Sequence, residues 1–405
     1  MKTGLLTILL LTLSIATFSQ TYIEGKVTTN SNEILEGASV YLNNTTIGTS
    51  TNNKGEFRLK VAKGNYDLVV SFIGYSTSKL TINTNLKQGF LHFKLAPDAH
   101  VLNEVVLKKT NYNDDWKYNL SRFKRLFLGR TKLAKSCIIL NPKSLHFEYN
   151  SKTRELTAEA KEPLKIKHKG LGYIITYDLV QFSVKNQRLF YSGYARYSNL
   201  KERVKKKWHR NRLEAYNGSK VHFLKSLLQK NLTQNGFVIH QFKRVRNPER
   251  PSDEEIKKAR MLISLHRETI TISRNNTNPL TPLDSAFVIV GKSSKPKYKD
   301  FLYKQHVPYN EMTSFNKDTP YLNFKNYLSI IYKNEKEEDD YLNGMFGKRK
   351  QATGVQTSNI TLINEKSIIE PSGILVDPHA LLAEGYWAFE SFANLLPLNY
   401  QPTEK

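Results

Sequence analysis

From Ile23 to about Leu107, apolar residues alternate with polar ones, the period-two mark of strands buried on one face. Ile23, Gly25 and Val27 share a face, as do Val40 and Leu42, and Phe57, Leu59 and Val61 alternate with Arg58 and Lys60. Leu68, Val70 and Phe72 follow, then Leu80 and Ile82, then Leu91, Phe93 and Leu95. Turn chemistry separates the runs at Asn30-Ser31-Asn32, Asn52-Asn53-Lys54-Gly55, Lys63-Gly64-Asn65 and Asn83-Thr84-Asn85. Short strands bounded by Gly and Asn at this spacing predict a β-sandwich with Phe57 in its core. Leu102–Leu107 reads as a last strand or a linker.

Beyond this the period changes. Asn113-Asp114-Asp115 offers a helix cap, and Trp116, Leu120, Phe123, Leu126 and Phe127 recur at helical spacing. Leu145 to Phe190 returns to strands. A basic helical stretch is predicted from about Leu200 to Lys230, broken near Asn217-Gly218. Leu200, Val204 and Trp208 mark its apolar face, and Arg203, Lys205, Lys206, Lys207, Arg210 and Arg212 are expected to point outward as a positive ridge. Pro251-Ser252-Asp253-Glu254-Glu255 opens a further helix. From Thr269 onward short strands and loops are expected, with a hairpin at Ile368–Val376. The chain is thus expected to be multidomain, a seven-stranded β-sandwich at residues 21–109 and an α+β region at 110–405.

Met1-Lys2-Thr3-Gly4 precedes an apolar run from Leu5 to Ala16, the arrangement of a secretory signal peptide cleaved near Gln20. That run is shorter than the roughly 20 residues a membrane span needs, and no later stretch reads as a span. The only cysteine, Cys137, lies in an apolar strand-like run, so it reads as a small buried hydrophobe and rules out an internal disulfide. The formal net charge of +25 favours anionic partners. With export, these are acidic polysaccharide or lipid rather than nucleic acid.

Five elements in order carry a family resemblance: Ile23-Glu24-Gly25-Lys26-Val27, Gly37-Ala38-Ser39-Val40, Gly48-Thr49-Ser50-Thr51-Asn52 with Gly55-Glu56-Phe57, Gly64-Asn65-Tyr66-Asp67-Leu68, and Ser71-Phe72-Ile73-Gly74-Tyr75. They resemble the carboxypeptidase regulatory-like family. That resemblance implies a transthyretin-like sandwich used as an accessory module, with no catalytic residues of its own. Arg210–Ser219 with His222-Phe223-Leu224, and Gly385-Tyr386-Trp387 with Leu395–Tyr400, resemble the region that follows such sandwiches in exported proteins of Gram-negative bacteria. This likeness implies export and no mechanism.

The chain lacks a His-x-x-Glu or His-Glu-x-x-His pair, so a zinc carboxypeptidase is not expected. It also lacks Gly-x-Ser-x-Gly. Gly344–Arg349 falls short of a phosphate loop, and Glu335–Asp340 reads as a solvated charge run. His209 and His222 could meet only on an unbroken helix. No catalytic residue, cofactor or metal is assigned. The reading is a non-catalytic exported envelope protein, periplasmic or outer-membrane associated, that binds a protein partner or an anionic lipid or polysaccharide. A hydrolase with a scattered active site and a component of an outer-membrane transport or adhesion system are the alternatives.

Overall fold

The computed structural model describes residues 21–97, 110–186, 188–266, 281–343 and 354–402. The signal-like segment 1–20, Leu102–Leu107 and the basic loop Gly344–Arg349 lie outside them.

The first body is the sandwich. Strands β1 (Thr21–Thr29), β4 (Glu56–Val61) and β7 (Leu91–Leu95) form one sheet in the order β4-β1-β7. Strands β2 (Ser39–Leu42), β3 (Gly48–Ser50), β5 (Asn65–Ser71) and β6 (Ser78–Asn83) form the other in the order β3-β2-β5-β6. The alternation seen in the sequence is realised: Ile23, Val27, Phe57, Leu59, Val61, Leu68, Val70, Ile82, Phe93 and Leu95 make one buried cluster. Phe57 pairs across the ladder with Gly25, and a Cβ on Gly25 would come within 2.8 Å of the Phe57 ring and 2.4 Å of the Leu91 carbonyl oxygen. Glycine there lets the ring lie flat on the neighbouring strand.

The second body is a six-stranded sheet, β8 (Cys137–Ile139), β9 (Leu145–Asn150), β10 (Glu155–Ala160), β11 (Leu164–His168), β12 (Tyr173–Lys185) and β13 (Arg188–Asn199). Helices α1 (Asp114–Phe127) and α2 (Lys132–Lys135) accompany it. Asn113 caps α1 through the Trp116 N–H as expected. Phe123 and Phe127, four residues apart on α1, are fully buried and meet Phe182 at 4.7 Å and Tyr177 at 5.3 Å between ring centroids.

Helices α3 (Lys206–Tyr216) and α4 (Lys220–Leu228) lead into the third body. Its sheet runs β15-β14-β18-β19-β21, from β14 (Phe237–Arg246), β15 (Tyr298–Lys304), β18 (Tyr327–Tyr332), β19 (Gln356–Leu362) and β21 (Leu381–Gly385). A small sheet of β16 (Thr313–Asn316), β17 (Thr319–Leu322) and β20 (Ser367–Ile368) lies against the same core. Two helices, α5 (Asp253–Leu265) and α6 (Pro282–Lys292), pack on each other, and two short ones follow, α7 (Asp339–Asn343) and α8 (Tyr386–Phe389). Helix α6 stands where only strands and loops were expected. Its run Phe287-Val288-Ile289-Val290 looks like a strand, but Pro282 occupies the first turn and Thr281 with Asp284 forms a capping box that starts a helix.

The segment after β21 ties the bodies together. Trp387 donates its indole N–H to the Gly218 carbonyl at 2.7 Å, Phe392 stacks on Phe127 at 4.5 Å, and the Leu398 N–H donates to Asn44 of the sandwich at 2.7 Å. The sandwich also meets β13 directly, where the Tyr197 N–H donates to the Thr45 carbonyl at 2.9 Å.

Candidate binding surface and buried polar seam

Helix α3 begins at Lys206 rather than near Leu200. Residues 200–205 are not helical, Lys205 is the cap without a side-chain capping bond, and Lys205, Lys206 and Lys207 all sit at the positive end of the helix dipole. Cations there disfavour extending the helix backward.

What holds the helix is one face. Trp208 is buried, donates its indole N–H to the Lys169 carbonyl at 2.9 Å, and covers Gly172 so closely that a Cβ there would lie 2.1 Å from the ring. Gly172 also has φ +74°, which a side chain disfavours independently. One turn on, Arg212 is buried as well, which corrects the expectation that it points outward with the other cations. Its guanidinium donates to the Leu171 carbonyl at 2.9 Å and to Asn199 Oδ1 at 3.2 Å, and lies 3.9 Å from the centre of the Tyr173 ring. Positions 208 and 212 are four apart and therefore share a face. A planar cation with several donors can be buried against carbonyls and a ring where an ammonium would be left short of partners.

The other five cations of the ridge are exposed: Arg203, Lys205, Lys206, Lys207 and Arg210. Among the described residues, only Arg210 meets a carboxylate, Glu214, at 3.9 Å. Lys205 lies 5.5 Å from the Trp208 ring. Of the six sequence-chosen cations, five are exposed: Lys206, Lys207 and Arg210 on a helix clamped by Trp208 and Arg212, and Arg203 and Lys205 on the segment just before it.

The two histidines of this region do not act together. His209 is exposed on α3, whereas His222 is buried on α4, its Nδ1 accepting from the Gly218 N–H at 3.1 Å. Burial, reinforced by Lys225, lowers the His222 pKa to about 4. His168 is fully buried, accepts from the Leu171 N–H at Nδ1 and donates through Nε2 to the Ala393 carbonyl at 2.8 Å. Burial likewise lowers its pKa to about 4. Cys137 is half-buried, and burial pushes its thiol up to about 12, so it stays protonated and unreactive.

The run Glu335–Asp340, expected to be solvated, turns inward instead. Glu337 is buried, and Glu335 and Glu338 are half-buried. Glu338 accepts from the Lys132 N–H at 3.0 Å, and Asp340 pairs with Lys135 at 2.7 Å, so the run docks on α2. Glu335 accepts from Gln356 at 3.1 Å, and Glu390 accepts from Asn394 at 3.2 Å. Burial comes first in raising Glu335 to about 7 and Glu390 to about 8, and the neighbouring Glu335 and Glu338 charges raise Glu390 further. These residues are too far apart in sequence for any local pattern to reveal the cluster. Among the described residues, no group of three or more His, Cys, Asp or Glu is placed to hold a metal ion, and no helix is long and apolar enough to cross a membrane.

No curated protein matches this sequence. Solved structures with slight likeness to it include two from Bacteroides. A DUF3823 family protein from Bacteroides ovatus ATCC 8483 is 9% identical over 45% of this chain and 82% of its own, with a TM-score of 0.17. A Bacteroides fragilis NCTC 9343 protein, described as membrane-associated and of unknown function, is 9% identical over 90% of this chain and 93% of its own, with a TM-score of 0.16. Likeness at these scores carries no weight for fold or role. The family comparison is specific and falls on the first body: residues 23–107, which hold the two-sheet sandwich packed around Phe57, are a CarboxypepD_reg-like domain followed by an α+β region.

Proposed function

We propose that this is a non-catalytic, exported accessory protein of the cell envelope, and that its α3 ridge binds an anionic envelope component, a lipid headgroup or an acidic polysaccharide. One observation supports this most: Arg203, Lys205, Lys206, Lys207 and Arg210 are exposed at and just before the start of α3, which Trp208 and Arg212 fix in place. A helix already fixed in place need not order its backbone when its cations meet an anionic surface. The converging carboxyls Glu335, Glu338 and Glu390 spend hydrogen bonds on Gln356, the Lys132 N–H and Asn394, which favours a structural role for them over hydrolysis.

The test is sedimentation of the mature chain with vesicles containing phosphatidylglycerol and with vesicles of phosphatidylcholine alone. At about 1 kcal/mol per lysine near an anionic surface, replacing Lys205, Lys206 and Lys207 by Gln should weaken binding to the anionic vesicles roughly a hundredfold. Equal binding to both vesicle types, or an unaffected triple variant, would remove the ridge from the proposal.

A further inference from the structure

A second basic site lies on different elements. A cavity of about 380 Å³ opens where the chain leaving α4 (Lys230, Leu232, Thr233) meets the start of β14 (Phe237, Val238, Ile239), the loop His306–Tyr309 and Lys333 beyond β18. This is within the range of about 300–1,000 Å³ of small-ligand clefts. Its floor belongs to the core of the third body: Leu232, Phe237, Ile239 and Val307 are all buried. Its polar lining is Lys230, Lys333, His306, Thr233 and Tyr309, and none of the lining residues is a carboxylate. Among the described residues, neither Lys230, Lys333 nor His306 pairs with an acid. The acid nearest in sequence to the loop, Glu311, is held by Lys304.

One further observation points to a ligand. The Tyr309 hydroxyl is shut off from solvent and has no hydrogen-bond partner among the described residues, although its residue lines the cavity. A buried hydroxyl left unpaired is costly and calls for a partner. Lys230 and His306 are both in the left-handed region, with φ of 58° and 52°. Lys230 directly follows the cap of α4, the position where glycine usually ends a helix.

We propose that this cavity binds a small organic anion. Lys230 and Lys333 take its carboxylate or phosphate, its body rests on the apolar floor, and the Tyr309 hydroxyl turns out of its closed position into the cavity to pair with a hydroxyl on that body. An acidic sugar and a sugar phosphate share this chemistry.

Calorimetric titration of the full mature chain with glucuronate, glucose 6-phosphate, glucose and inorganic phosphate tests the assignment. At least one charged sugar should bind about tenfold more tightly than glucose and than inorganic phosphate, the order expected of a charge-assisted bond combined with a body contact. Lys230→Gly suits the backbone, so it should leave the melting temperature level or higher while weakening that sugar about tenfold. Tyr309→Phe should weaken it about fivefold without lowering the melting temperature, because the empty protein loses an unpaired buried hydroxyl. A merely structural Tyr309 would instead lower stability and leave affinity alone. The proposal falls if neither charged sugar binds more tightly than glucose, if inorganic phosphate binds as tightly as the sugars, or if Lys230→Gly binds like the wild type.

Discussion

The sandwich and the seam between the two α+β sheets hold together by different means. In the sandwich, stabilising partners are apolar, follow the strand period, and lie within one stretch from Ile23 to Leu95. In the seam, partners are polar or aromatic and far apart in the chain: His168 with Ala393, Thr131 with Asn394, Lys132 with Glu338, Gly218 with Trp387. The first is an alternating pattern that excludes water from one face. The second is a set of satisfied buried polar groups, worth little individually but costly to leave unpaired. A core of the first kind is expected to form without the rest of the chain, and one of the second kind to depend on its last segment.

That difference can be broken deliberately. Deleting residues 386–402 removes Trp387, Phe392 and Asn394 together. The remaining α+β region should lose cooperative unfolding, while a fragment from Thr21 to about Lys109 should still melt cooperatively as an all-β unit in circular dichroism. Within the sandwich, Phe57→Ala should cost about 3–5 kcal/mol in denaturant unfolding, the range for deleting a buried ring. A loss well below 1 kcal/mol would mean that its packing on Gly25 and Phe93 contributes little. Titration should separate the two regions more gently. Glu335 and Glu390 titrate near 7 and 8 in the folded chain and near 4.5 when unfolded. The unfolded form therefore releases protons first, and stability falls as pH rises from about 4.5 towards 8. His168 and His222, lowered to about 4, act in the opposite sense, because stability is lost as pH falls from about 6.5 towards 4. Between about pH 6.5 and 8 only the carboxyls contribute. The melting temperature should drop across that window by the equivalent of about 1–2 kcal/mol, and Glu390→Gln should flatten the drop.

The same contrast explains what could be read in advance. The strand period, the Asn113 cap and the five family elements made the sandwich and α1 legible, because each signal is local. Arg212 was legible in part: it lies four residues beyond Trp208 and so on the same face of α3, and only its charge argued otherwise, whereas Leu200 and Val204 precede the helix. The start of α6 is equally local, since Thr281-Pro282-Leu283-Asp284 carries both the capping box and the first-turn proline. By contrast, Glu335–Asp340 looks like any solvated acidic run, since its partners Lys132, Lys135 and Gln356 are brought to it only by the fold. The cavity at Lys230 is likewise assembled from four separate stretches of chain.

The smallest stability effect should come from the ridge. Lys205→Gln, Lys206→Gln and Lys207→Gln combined should change unfolding free energy by less than about 0.5 kcal/mol, because exposed charges contribute little to folding. Removing three cations from the start of a helix should shift it upward. The central assignment is tested most directly by following the affinity of the wild type and this triple variant for phosphatidylglycerol vesicles as salt is raised. The wild type should bind at low salt and weaken steeply as screening grows, with the variant weaker and much less salt-sensitive. Identical salt curves for the two proteins would contradict it.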